Sequence, residues 1–117
     1  MALGTAFLRN GHVYFVLSNP GPDGKVLCVN LTTLDDDCVD DECVLDANDY
    51  AWIKPGHPTV VAFSRSEVWD GAAIDQCLGG GQLNAPQPPV VPLATVAKVA
   101  AIGKTSRELS KAKRDML

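Results

Sequence analysis

Hydrophobic positions follow two regimes along this chain. Before residue 64 they come in short dense runs bounded by turn formers, and after it they recur every three or four positions. Val13-Tyr14-Phe15-Val16-Leu17 and Val26-Leu27-Cys28-Val29-Asn30-Leu31 are rich in β-branched and aromatic residues, the composition of strands. Between them, Ser18–Lys25 is dense in turn formers, with Asp23-Gly24 its strongest turn signal, so a hairpin is predicted. Cys43-Val44-Leu45 reads as a short third strand. Thr59–Phe63, entered from the rigid loop Pro55-Gly56-His57-Pro58, reads as a fourth, and Leu3–Leu8 as a weak fifth. These runs are nearly continuous rather than alternating, which suits strands enclosed in a small closed barrel. The expected core is Val16, Leu17, Val29, Leu31, Val60 and Ala62.

Beyond this the period lengthens. Ser64 stands three residues before Glu67, the spacing of a capping box, and Val68, Trp69, Ala72, Ala73, Cys77 and Leu78 follow at helical intervals. Gly79-Gly80-Gly81 should stop that helix. Prolines at 86, 88, 89 and 92 rule out regular structure over 82–92. Leu93–Ile102 reads as a second helix ended by Gly103. Thr105 with Glu108 repeats the capping-box spacing and opens a third, Ser106–Leu117. Leu109, Ala112 and Met116 form an apolar stripe on that helix, expected to pack on the barrel or on a second subunit. The chain thus divides into a β-barrel core (1–64), a helix (65–78), a Gly/Pro-rich linker (79–92) and a helical tail (93–117). With 117 residues this is one domain, mainly β with C-terminal helices (β+α).

Composition changes the picture in three ways. With 46% hydrophobic and 21% charged residues, the chain is neither disordered nor membrane-spanning. No secretory leader is evident, and the four cysteines (Cys28, Cys38, Cys43, Cys77) read as free thiols, so a cytoplasmic protein without disulfides or zinc is expected. The net charge of −4 is also uneven. Residues 1–93 hold four basic against twelve acidic side chains, and residues 94–117 hold six against two. A basic tail docked on an acidic body, or offered to an anionic partner, follows from that polarity.

Certain segments resemble the PemK/MazF-type toxin family, SH3-like barrels that act as endoribonucleases in toxin–antitoxin systems. His12–Ser18 is similar to that family's first strand, an apolar run ending in Ser. Val26–Thr33 is similar to its second, which ends in paired hydroxyl residues. Ile53-Lys54-Pro55-Gly56-His57-Pro58-Thr59-Val60-Val61 is similar to its later Lys-x-Ser segment entering a strand. The likeness spans roughly Gly11 to Glu67. His12 stands where the family carries an arginine, with Arg9 three residues upstream. The resemblance implies a small SH3-like barrel, a homodimer, single-stranded RNA as substrate, a cognate antitoxin as partner, and no cofactor.

Metal-free RNA cleavage needs a base for the 2′-hydroxyl, an acid for the leaving 5′-oxygen, and donors for the charge on phosphorus. A histidine exchanges protons near neutral pH. His12 at a strand entrance, facing Thr32 and Thr33, would supply the acid/base group beside two hydroxyl donors, with Arg9 reaching the phosphate. Ser18, His57, Thr59 and Trp52 are the substrate-binding candidates, Trp52 by stacking on a base. Each has a plainer role too: strand capping for His12 and the threonines, an incidental loop position for His57, a barrel plug for Trp52. The acidic Asp35–Cys43 segment has the oxygens of a hard-cation site but not a calcium-loop order, and it reads as a solvated loop. Two functions stay open: a metal-independent endoribonuclease, and a catalytically silent barrel that binds protein, such as a toxin–antitoxin-related or phage regulatory protein.

Overall fold

The computed structural model describes residues 2–34 and 40–117. Five strands, β1 (Ala6–Arg9), β2 (His12–Val16), β3 (Lys25–Thr33), β4 (Val44–Leu45) and β5 (Thr59–Asp70), form one curled antiparallel sheet, a half-barrel. Their order is β1-β2-β3-β5-β4. Three short helices follow: α1 (Gly71–Gly79), α2 (Leu93–Gly103) and α3 (Lys111–Arg114). A β-rich β+α fold is therefore present.

The β1–β2 hairpin turns on Asn10-Gly11, with φ of 53° and 78°. That pair of positive angles is the two-residue turn whose twist matches the strands, and Asn-Gly tolerates it best. Arg9 and His12 are thereby opposed across the turn. The β2–β3 connection closes as expected at Asp23-Gly24, where the Asp23 carboxylate accepts the Lys25 N–H at 3.0 Å.

Apolar runs are continuous because both faces of the curled sheet are covered. Val13, Phe15, Leu17, Leu27, Val29, Leu31, Val61 and Phe63 face a core closed by Val96 and Val99 of α2 and by Leu109. Phe7, Tyr14, Val16, Val26 and Cys28 face a second, smaller core closed by Ile74 of α1. The six expected core residues are all buried, but Leu17, Val29 and Leu31 lie in the first core and Val16 in the second. The linker over 82–92 has a structural task as well. It runs along the β1 edge, where Ala6 N–H donates to Pro89 O at 3.0 Å and Leu8 N–H to Asn84 O at 2.8 Å. Prolines fit there because the linker serves β1 with carbonyl acceptors, and a proline lacks only the N–H.

The helix predicted over 65–78 begins only at Gly71, capped by the Asp70 carboxylate, which accepts the Ala72 N–H at 2.9 Å. Residues 64–70 continue β5 instead. Between Ala62, paired with Asn30, and Glu67, paired with Cys28, β5 advances five residues against two on β3, so it bulges sharply there. The supposed capping pair is used otherwise. Ser64 donates both its N–H and its hydroxyl to the Asp40 carboxylate, and Glu67 meets Arg9.

The third helix is likewise shorter than its predicted 106–117. Ser106 turns inward, donating its hydroxyl to Glu42 and accepting the Glu108 N–H at 3.0 Å, so α3 starts after Ser110. The tail still docks. Leu109 is buried, Met116 and Leu117 pack on the first core, and Ala112 is left exposed. Lys113 Nζ donates to Ser66 O at 2.8 Å within the β5 bulge. Gly103 permits the closure, because a Cβ there would sit 2.8 Å from Leu117 Cδ1 and 3.3 Å from Phe63.

Candidate functional site

A cleft of about 150 Å3 opens at one end of the sheet, lined by Gly11, His12, Leu31, Thr32, Thr33, Trp52 and Thr59. Its walls follow from the strand ends. The Asn10-Gly11 turn puts His12 at the start of β2, next to the Val13–Leu31 pair. The β3–β5 ladder finishes with Thr32 against Val60 and Thr33 against Thr59. His12 is half-buried, and its Nδ1 lies 3.3 Å from the Leu31 carbonyl oxygen. A carbonyl only accepts, so this contact puts a proton on Nδ1, and in the neutral ring the lone pair is then on Nε2.

The remaining wall comes from the 46–59 loop. Its first turn is locked by paired aspartates: Asp49 accepts the Asp46 N–H at 3.0 Å, and Asp46 accepts the Asn48 N–H at 2.8 Å. Tyr50 is buried and donates its hydroxyl to Pro88 O. Burial pushes the Tyr50 phenol up to about 12. Trp52 stacks against that fixed ring at 6.4 Å between centroids and 24° between planes, and stays 38% exposed. Thr59 is buried and donates its hydroxyl to His57 O at 3.3 Å.

Five of the eight residues singled out in the sequence therefore meet in one cleft: His12, Thr32, Thr33, Trp52 and Thr59. The other three do not. His57 lines a neighbouring pocket of about 390 Å3 with Asp46, Asn48 and Lys54. Ser18 is buried, and its hydroxyl accepts the Leu27 N–H at 2.8 Å, a bond that ties β3 to the loop after β2. Arg9 is held by Glu67, both of whose oxygens accept from it, and lies 5.1 Å from the centre of the Trp69 ring and 6.0 Å from that of Tyr14. Trp69 Nε1 donates to the same Glu67 at 3.2 Å. The Glu67 bond holds the Arg9 pKa above its usual value.

No family model, curated protein or solved structure matches this chain.

Of the acidic segment, Asp35, Asp36, Asp37 and Cys38 lie outside the described residues. Asp40 is buried on Ser64, and Glu42 accepts from Ser106 and Arg107. Among the described residues no three His, Cys, Asp or Glu side chains come together as a metal site. Cys28, Cys43 and Cys77 are free thiols. Burial raises Cys28 to about 12, with the Glu67 charge adding to the shift, and raises Cys43 to about 11. No helix among the described residues is long and apolar enough to cross a membrane.

The sequence reading missed the role of Asn10-Gly11, although an Asn-Gly pair between apolar runs is the strongest short hairpin signal. It also missed the Glu67–Arg9–Trp69 group, in which Arg9 lies 58 and 60 positions from its two partners.

Proposed function

We propose that this chain is a PemK/MazF-type endoribonuclease that cleaves single-stranded RNA without a metal, at the His12 cleft. The observation that supports it most is the Nδ1 contact with the Leu31 carbonyl, which fixes the tautomer a general base needs. Nε2 takes the 2′-hydroxyl proton, the 2′-oxygen bonds to phosphorus, and the bond from phosphorus to the 5′-oxygen breaks. The imidazolium then returns its proton to that departing oxygen. The products are a 2′,3′-cyclic phosphate and a 5′-hydroxyl, so atoms and charge balance. The Thr32 and Thr33 hydroxyls flank the phosphate, and exposed Trp52 offers a face for one base. A homodimer, an SH3-like barrel and a cognate antitoxin belong to the same reading.

One observation favours the second function, a silent barrel that binds protein. Arg9 is paired with Glu67, and among the described residues no lysine or arginine lines the cleft. Phosphoryl chemistry usually relies on such a cation. Incubation with long RNA in EDTA, with both fragment ends resolved, separates the two: cyclic-phosphate ends support the ribonuclease, and intact RNA supports the binding module.

A further inference from the structure

The pocket beside the cleft carries what the cleft lacks. It is lined by Asp46, Ala47, Asn48, Lys54, Pro55, Gly56, His57 and Pro58, and one stretch of chain serves both hollows. Trp52 and Thr59 face the cleft, and the residues between them, Lys54 to Pro58, face the pocket. Thr59 is bonded to the His57 carbonyl, so the two hollows share a braced wall.

Asp46 is committed, its carboxylate accepting the Asn48 N–H, but three other polar side chains of this pocket are not. Asn48 and His57 bond to their surroundings through backbone atoms, and the side chains of Asn48, Lys54 and His57 have no hydrogen bond or ion pair among the described residues. Among the described residues three of the five other lysines are engaged, Lys98 with Asp49, Lys111 with Asp115 and Lys113 with Ser66 O; Lys25 and Lys104 are not, and neither lines this pocket. The frame around the three is stiff. Pro55 and Pro58 fix the loop, Gly56 turns it with a φ of 78°, and the Asp46–Asp49 turn holds Asn48. A primary amide carries both donor and acceptor groups, which is the chemistry that reads the edge of an unpaired base, and a lysine is a point charge for phosphate.

We propose that this pocket is a second nucleotide subsite. Lys54 pairs with the phosphodiester next to the scissile one, Asn48 contacts the edge of the neighbouring base, and His57 adds a hydrogen bond to the sugar-phosphate. The inference rests on the cleft being an RNA site, and it makes the ligand a single strand of at least two nucleotides crossing the Trp52–Thr59 wall. It also moves the positive charge of the site from Arg9 to Lys54.

The test uses the full chain and a short single-stranded RNA carrying 2′-O-methyl groups, which binds without being cleaved. Affinity is read from Trp fluorescence across 50–200 mM salt. Lys54→Gln should weaken binding for every sequence tested and lower the slope of log K against log salt by about 0.7, the loss of one phosphate contact on a single strand. Asn48→Ala should change base preference and leave that slope alone. Lys25→Gln, on the far end of β3, should change neither. An unchanged slope in Lys54→Gln overturns the subsite, even if the wild type cleaves RNA. A Lys54-dependent slope in a protein that cleaves nothing upholds the subsite and removes only the catalytic reading. Absence of binding by the wild type overturns both.

Discussion

Arg9 and Glu67 are joined across the sheet by an ion pair using both carboxylate oxygens, with the guanidinium against Trp69 and Tyr14. The pair sits beside the second core, where β5 has recovered its register with β3 after the bulge. Its work is to hold the β1 edge to β5.

Arg9→Ala should therefore act on stability and not on cleavage. Both side chains are about one third exposed, so solvent screens the pair and a loss of about 0.5–1 kcal/mol is expected. Chemical denaturation measures that loss. A large fall in RNA cleavage with normal stability would return Arg9 to the site.

How much was legible beforehand follows from where each signal lies. Strand positions, the Asp23-Gly24 turn and α2 could be read because their cues are local: dense β-branched runs, a turn pair, a helical period closed by Gly103. Closure of the sheet could not be read. Continuous apolar runs look the same in a closed barrel and in a curled half-barrel covered on both faces, here by α1 and by α2 with the tail. The capping spacing at Ser64 and Glu67 misled because both side chains have stronger partners far away in sequence, Asp40 and Arg9. In the cleft, His12 and the threonines were legible as neighbours across a hairpin. Lys54 and Asn48 were not, since nothing local distinguishes them from other loop residues.

The β5 bulge should be a stability determinant. Asp40 is buried and accepts both the N–H and the hydroxyl of Ser64. Asp40→Ala removes two hydrogen bonds to a charged carboxylate, at an expected cost of about 1.5–3 kcal/mol. Ser64→Ala, which removes one donor along with its bond, should cost less. Equal effects in urea unfolding would contradict this assignment.

Alkaline pH should destabilise the fold. Cys28, Cys43 and Tyr50 are raised to about 12, 11 and 12 from ordinary values of 9 to 10. Above about pH 9 the unfolded chain ionises these groups while the folded one keeps them protonated, so their contribution is full below pH 9 and is lost towards pH 12. Melting temperature against pH should fall across that window, less steeply in Tyr50→Phe. Native thiol labelling at pH 8 should reach Cys77 well before Cys28.

The tail should be integral to the fold. Leu109 is buried beside Phe63 and Val99, so Leu109→Ala should cost about 2–5 kcal/mol. Ala112→Ser, on the exposed side, should be neutral. An unchanged melting temperature after removing residues 104–117 would show that docking contributes nothing.

If His12 is the proton-transfer group of an RNA-cleaving cleft, the wild type and His12→Gln will part company on long RNA in EDTA. Glutamine keeps a hydrogen bond to the Leu31 carbonyl but cannot exchange a proton at neutral pH. The wild type should yield fragments with 2′,3′-cyclic phosphate and 5′-hydroxyl ends, and His12→Gln should be slower by about 10²–10⁴ at unchanged stability. Full cleavage by His12→Gln, or none by the wild type on any of several RNAs, would contradict that role for His12.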